Sequence, residues 1–218
     1  MTLRRIFTCL LMMLAVTSVC AVADSVTYYI TVSNGSISPP ASSYGSIALA
    51  TSTQTPGGID FTINMNPGYT IAGGGSAFGF NLGSGIILGN LSITNLTGGF
   101  SAGNSLGGGT MNGFGYFDVV INGPSASNGV SSLTFTVLNS NGGFSSVNQL
   151  VALSSSNGGT PQDGFMDFAA HVVPTGSNIQ TGYAGANSTQ VPEGGELSIL
   201  FGSAFTVFGA MFLKRRFA

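Results

Sequence analysis

The sequence predicts an all-β fold, an antiparallel β-sandwich followed by a single C-terminal transmembrane helix. Three observations predict it. Between residues 24 and 174, short runs of β-branched and aromatic residues alternate with clusters of Gly, Asn, Ser and Pro, the pattern of strands punctuated by turns. No stretch there repeats its apolar residues at a helical period. Residues 197–213, by contrast, form an uncharged and mainly apolar run that ends on Lys214-Arg215-Arg216.

Residues 1–23 have the three parts of a secretory signal peptide: Arg4 and Arg5, the apolar stretch 6–16, and Ala21-Val22-Ala23 as a small-x-small site that places cleavage before Asp24. Cys9 and Cys20 both lie inside this segment. The mature chain is therefore expected to lack cysteine, which excludes disulfides, thiolate zinc sites and cysteine nucleophiles. Thr17-Ser18-Val19 ahead of Cys20 puts a branched residue where lipid-attachment signals want a small one, so cleavage outranks lipidation.

The strands expected in the body are 26–32, 46–51, 59–65, 77–82, 114–121, 131–138, 149–153 and 165–173. In 131–138, Leu133, Phe135 and Val137 alternate with Ser132, Thr134 and Thr136, so an apolar face opposes a hydroxyl-rich one. Residues 59–65 repeat the device. Short strands buried on one side fit two antiparallel sheets packed face to face, a jelly-roll arrangement being one way to connect them. Residues 73–75 and 98–115 are glycine-dense and read as loops. Residues 175–190 are polar and charge-free, as a spacer would be. The chain thus divides into a signal peptide (1–23), one β-sandwich domain (24–174), a spacer (175–190) and a terminal segment (191–218).

All five basic residues, Arg4, Arg5, Lys214, Arg215 and Arg216, sit in the two terminal segments. Between residues 24 and 190 the charges are Asp24, Asp60, Asp118, Asp163 and Asp167, with His171 as the one titratable cation. A body without Lys or Arg does not bind nucleic acid, which requires cations that displace counterions from phosphates. Walker-type nucleotide loops fall by the same count, since their lysine is missing.

The apolar run 197–213, as a helix, is about 25 Å long at 1.5 Å per residue, the short end of what spans a bilayer. The basic triplet after it predicts a cytoplasmic C-terminus and an exported body. Val191-Pro192-Glu193, this single helix and Lys214-Arg215-Arg216 together resemble the PEP-CTERM sorting signal of bacteria. Gly194 stands where a second proline is usual, giving a VPEGG form. The resemblance covers residues 191–218 and implies recognition of Pro192 and Glu193 by exosortase, a membrane-embedded cysteine protease-transferase, with removal of the helix near them. It also implies association with exopolysaccharide, biofilm or envelope. A weaker likeness runs through Phe168-Ala169-Ala170-His171-Val172 and Thr181-Gly182-Tyr183-Ala184-Gly185, which look like the last strand and spacer of such proteins.

Several internal motifs carry chemistry on paper. Gly99-Phe100-Ser101-Ala102-Gly103 matches the nucleophile elbow of serine hydrolases, and Asp118 or Asp163 followed by His171 gives the chain order of their triad. An elbow needs a buried parallel strand before the serine and a helix after it, and Asn104-Ser105-Leu106-Gly107 starts no helix. Asp163, Asp167 and His171 are spaced by four, but a strand over that length spreads them too far for one ion, so a structural role for His171 outranks a metal. Asn34, Asn90, Asn95 and Asn187 begin N-x-Ser/Thr triplets and read as exposed polar positions. Tyr28, Tyr44, Tyr69, Tyr116 and Tyr183, if several faced solvent on one sheet, would form a sugar-stacking platform.

The leading expectation is a non-enzymatic, secreted protein of the cell surface or extracellular matrix that needs no cofactor or metal. Its site residues are those of its processing: Ala21, Ala23 and Asp24 at the signal cleavage, and Val191, Pro192, Glu193, Lys214, Arg215 and Arg216 in the sorting signal. Its partners are signal peptidase, exosortase, the membrane through the transient helix, and polysaccharide. A carbohydrate-binding or adhesive module is the runner-up, and a serine hydrolase ranks third.

Overall fold

A computed structural model describes residues 24–38, 40, 42–102, 106–157, 160–176, 180–187 and 191–192. Its strands are β1 (Ser25–Ile30), β2 (Val32–Ser33), β3 (Gly45–Thr51), β4 (Ile59–Met65), β5 (Tyr69–Ile71), β6 (Ser76–Phe80) and β7 (Leu91–Thr94). There follow β8 (Gly109–Met111), β9 (Gly115–Phe117), β10 (Val119–Asn122), β11 (Ser132–Asn139), β12 (Phe168–Pro174), β13 (Gly182–Ala186) and β14 (Val191–Pro192). The first sheet has the order β14-β1-β3-β4-β11-β7 and the second β10-β6-β12-β13-β2, with β5 also paired to β12. Every pairing is antiparallel.

Period-2 alternation sets the inner faces. In β4, Ile59, Phe61, Ile63 and Met65 are buried while Asp60, Thr62 and Asn64 point the other way. In β11, Leu133, Phe135 and Val137 do the same in register opposite Ile63, Phe61 and Ile59. The second sheet answers with Phe78, Phe80, Ile121, Phe168, Ala170 and Val172, and the two sets form one core between face-to-face sheets. Phe61 stacks on Phe135 with centroids 4.6 Å apart, and touches Phe80 at 5.1 Å across the sandwich.

Part of the second sheet's outer face is buried as well. Register aligns Val120, Gly79, Ala169, Gly185 and Val32 across its strands. Against this row lies a second cluster that includes Met111, Phe114, Phe117 and Met166. The row is small by necessity: a Cβ on Gly79 would stand 2.9 Å from Cγ of Phe117, and one on Gly185 2.6 Å from Cγ of Met166.

The structure departs from the sequence expectations at identifiable places. The glycine-dense stretch 98–115 is not all loop, because it includes β8, which pairs with β9 over the second sheet. The strand expected at 114–121 breaks at Asp118 into β9 and β10. Residues 149–153 are not a strand: Val147–Leu150 is a 3-10 turn with Ser146 at its start, capped in a box with Gln149. The strand expected from 165 begins at Phe168. The polar spacer 175–190 contains β13, paired along β12 with Ala184 and Ala186 fully buried, so the folded domain runs past 174 to Ala186 at least. No helix among the described residues is long and apolar enough to cross a membrane, and the helix expected at 197–213 lies outside those residues.

Overpacking a dense core typically costs about 1–3 kcal/mol, and truncating a buried Phe about 3–5 kcal/mol. Gly79→Val and Phe61→Ala are expected to destabilise the domain by those amounts in urea titrations followed by circular dichroism. A Gly79→Val protein as stable as the parent would remove Phe117 from that row.

Candidate functional site

The outer face of the first sheet carries three cross-strand rows: Tyr29-Ser46-Asn64-Ser132, Thr27-Ala48-Thr62-Thr134 and Ser25-Ala50-Asp60-Thr136-Thr94. Nearly all are hydroxyl, amide or methyl groups, and Asp60 is the one charge among them. Of the body's tyrosines Tyr29 stands out on this face, 43% exposed.

A groove of about 260 Å³ runs along this face over β4 and β11. Its lining includes Gln54, Asp60, Thr62, Asn95, Thr134 and Thr136. One wall is the β3–β4 turn, tightened by Ser52, whose Oγ accepts from the Thr55 amide at 3.1 Å. The other is the segment after β7, clamped to β11 where Thr97 N donates to Thr134 O at 3.2 Å. Asn95 begins that segment at φ 58°, the one non-glycine residue with positive φ among the described residues. Asn tolerates this left-handed conformation better than most residues, though it still costs free energy.

A relay of side chains holds the groove floor. Thr136 Oγ1 donates to Asp60 Oδ1 at 2.7 Å and accepts from Asn95 Nδ2 at 3.3 Å. Thr136 is 4% exposed, so both partners are anchored on a buried hydroxyl. Gln54, Asp60, Thr62 and Asn95 line the groove together with Phe61 and Phe135, and the Gln54 side chain, Thr62 Oγ1, Asp60 Oδ2 and Asn95 Oδ1 make no hydrogen bond within the described residues. Sequence reasoning caught Thr134 and Thr136 as a hydroxyl face, yet missed the site, because Asn95 reaches it only through the β7–β11 pairing and Asp60 through β4–β11.

The residues singled out from the sequence fall elsewhere. Asp24 is the first described residue, and its Oδ2 accepts from Ser146 Oγ at 2.8 Å and from Val147 N at 3.0 Å, at the start of the 3-10 turn. Val191 and Pro192 pair with Thr27 and Val26 of β1. Ala21, Ala23, Glu193, Lys214, Arg215 and Arg216 lie outside the described residues. Ser101 forms a bridge with Asn122, Asp118 Oδ2 accepts from Leu82 N at 3.0 Å, and His171 Nδ1 is 3.1 Å from Ala72 O. Among the described residues no hydrogen bond joins Ser101, an aspartate and His171. Asp163, Asp167 and His171 belong to no metal-holding group of three among those residues.

Asn34 is not merely an exposed polar position. Its Oδ1 accepts from Ser36 N at 3.2 Å and Tyr183 N at 3.3 Å, and its Nδ2 donates to Asn112 O at 3.3 Å. The five tyrosines form no platform, since Tyr28 and Tyr44 are fully buried and Tyr69, Tyr116 and Tyr183 half-buried. Comparison with protein-family models, characterised proteins and solved structures returned no match.

His171 packs on Tyr183 of the neighbouring strand with ring centroids 4.8 Å apart. Burial pushes its pKa below the ordinary value, with the Ala72 carbonyl acting the other way, and burial raises that of Tyr183. The unfolded chain therefore takes up the proton first. Stability is full above the ordinary histidine value of about 6.5 and is lost as pH falls through the lower folded value. Thermal midpoints measured from pH 7.5 to 5.5 should fall in the parent and stay flatter in His171→Gln; equal slopes would remove His171 as the cause.

Proposed function

We propose that the protein is an exported, exosortase-sorted component of the bacterial cell surface or extracellular matrix, with a structural role in exopolysaccharide or biofilm. The observation that carries this reading is the pair of terminal signals: Arg4, Arg5 and Ala21-Val22-Ala23 at one end, Val191-Pro192-Glu193, the apolar run 197–213 and Lys214-Arg215-Arg216 at the other. Signal peptidase cuts before Asp24. The C-terminal helix spans the membrane in transit, the basic tail faces the cytoplasm, and exosortase acts near Pro192 and Glu193.

Two structural facts support the reading. Asp24 enters the fold through its own carboxylate and through its carbonyl, which accepts from Thr51 N at 2.9 Å, and all of these atoms survive cleavage before it. The antiparallel pairing of Val191 and Pro192 with Thr27 and Val26 points the chain after 192 and the chain before 25 toward the same end of β1. Both membrane signals can then lie in one bilayer without unfolding the domain. With Ser101, Asp118 and His171 bonded apart, the reading takes the body as structural rather than hydrolytic.

The intact mass of the protein recovered from its native surface tests this. A mass running from Asp24 to near Glu193, with or without an added group, is the expected result. A mass that includes Ala218 would make the helix a permanent anchor and overturn sorting by exosortase.

A further inference from the structure

We propose that the groove over β4 and β11 binds a single sugar unit of an uncharged polysaccharide. The assignment rests on the surface reading above, which brings polysaccharide within reach. Its volume, about 260 Å³, lies just under the roughly 300 Å³ at which small-molecule pockets begin, and suits one compact polar unit.

The chemistry of the lining selects hydroxyls. Asp60 Oδ2 and Asn95 Oδ1 are acceptors, while Gln54 and Thr62 offer both donors and acceptors, so neighbouring hydroxyls of one ring can be answered in both directions. The Asp60 carboxylate gives a charge-assisted hydrogen bond, about twice as strong as a neutral one. Thr136 fixes Asp60 and Asn95 beforehand by donating to the first and accepting from the second, which lowers the ordering cost on binding. The left-handed Asn95 is a local strain that the Thr136 contact maintains at this spot.

Other occupants fit less well. A peptide adds to a sheet edge or fills an apolar pocket, whereas β4 and β11 are interior strands whose ladders are already paired on both sides. An acidic polysaccharide would meet Asp60 with no Lys or Arg anywhere in residues 24–190 to neutralise it, and His171 lies on the other sheet. A second copy of the chain would bury a hydroxyl face in place of the apolar surface that stable dimers use.

The test is affinity electrophoresis of the full chain through gels containing dextran, a β-1,3-glucan, a β-1,4-glucan or galactomannan, with alginate as the acidic comparison. At least one neutral polymer should retard the protein, and alginate should not. Asp60→Asn is expected to weaken that retardation about tenfold, and Gln54→Ala, which breaks no hydrogen bond of the fold, about threefold. Gln162→Ala, outside the groove lining and next to Asp163, whose amide donates to Gly113 O, should bind as the parent does. The proposal is overturned if no neutral polymer retards the parent, if alginate does so as strongly, or if Asp60→Asn and Gln54→Ala both bind unchanged. Sedimentation showing dimers that Asp60→Asn dissolves would overturn it in favour of a second copy. Because the intact mass reports sorting independently, failure here leaves the exosortase reading standing, and the two failures are told apart.

Discussion

The stack of Phe61 on Phe135 is the contact on which the sandwich turns. It joins neighbouring strands within the first sheet, and both rings reach across to Phe78 and Phe80 of the second. Aromatic pairs of this kind add about 0.5–1.5 kcal/mol each beyond the area they bury. Covalent and ionic cross-links add nothing to the cohesion of the body. It holds no cysteine and no Lys or Arg between residues 24 and 190, so neither disulfides nor Lys and Arg ion pairs contribute to it. Apolar burial and backbone ladders carry the fold.

That dependence makes the two sheets unequal. The second sheet is covered on its inner face and over part of its outer one, and that outer cover requires a row without side-chain bulk at Gly79 and Gly185 to admit Phe117 and Met166. The first sheet is sealed on one face only, and its other face is the hydroxyl and amide surface over which the groove runs. A charge-poor polar face interacts through directed hydrogen bonds rather than through long-range attraction. Such contacts discriminate by geometry at short range and change little with salt.

Legibility in the sequence followed the same physics. Strands β3, β4 and β11 were readable because each has one buried and one solvated face, which forces period-2 alternation. Strand β13 was not: Gly182-Tyr183-Ala184-Gly185-Ala186 holds no β-branched residue, because Met166 packs tightly on its outer face and its inner residues are alanines. Its composition therefore imitates a spacer. The short strands β5, β7 and β8 offer too few residues for a period to emerge. Tyr28 and Tyr29 show how sharp the parity is, since a shift of one position separates a fully buried ring from an exposed one. The groove was partly legible, in Asp60 beside Thr62 on the solvated face of β4. Thr136 lies 41 residues from Asn95 and 76 from Asp60 along the chain, joined to them only by the β7–β11 and β4–β11 registers. Periodicity reports faces and is silent on pairing.

The placement of the groove relative to the chain ends has a mechanical consequence. Strand β1 takes residues 191–192 on one side and β3 on the other, so both terminal segments leave from one edge of the first sheet. The groove lies over β4 and β11, two to three strands away, about 10–15 Å at the usual strand spacing. Cutting at Asp24 or near Glu193 acts on that edge and leaves β4, β7 and β11 with every hydrogen bond of the groove intact. On the proposed sorting, a tether would be removed from the domain without touching the surface proposed to meet polysaccharide. If the proposed sorting holds, the same separation would let the domain present the groove while tethered, because the strands between the groove and that edge, β1-β3-β4, are continuously paired.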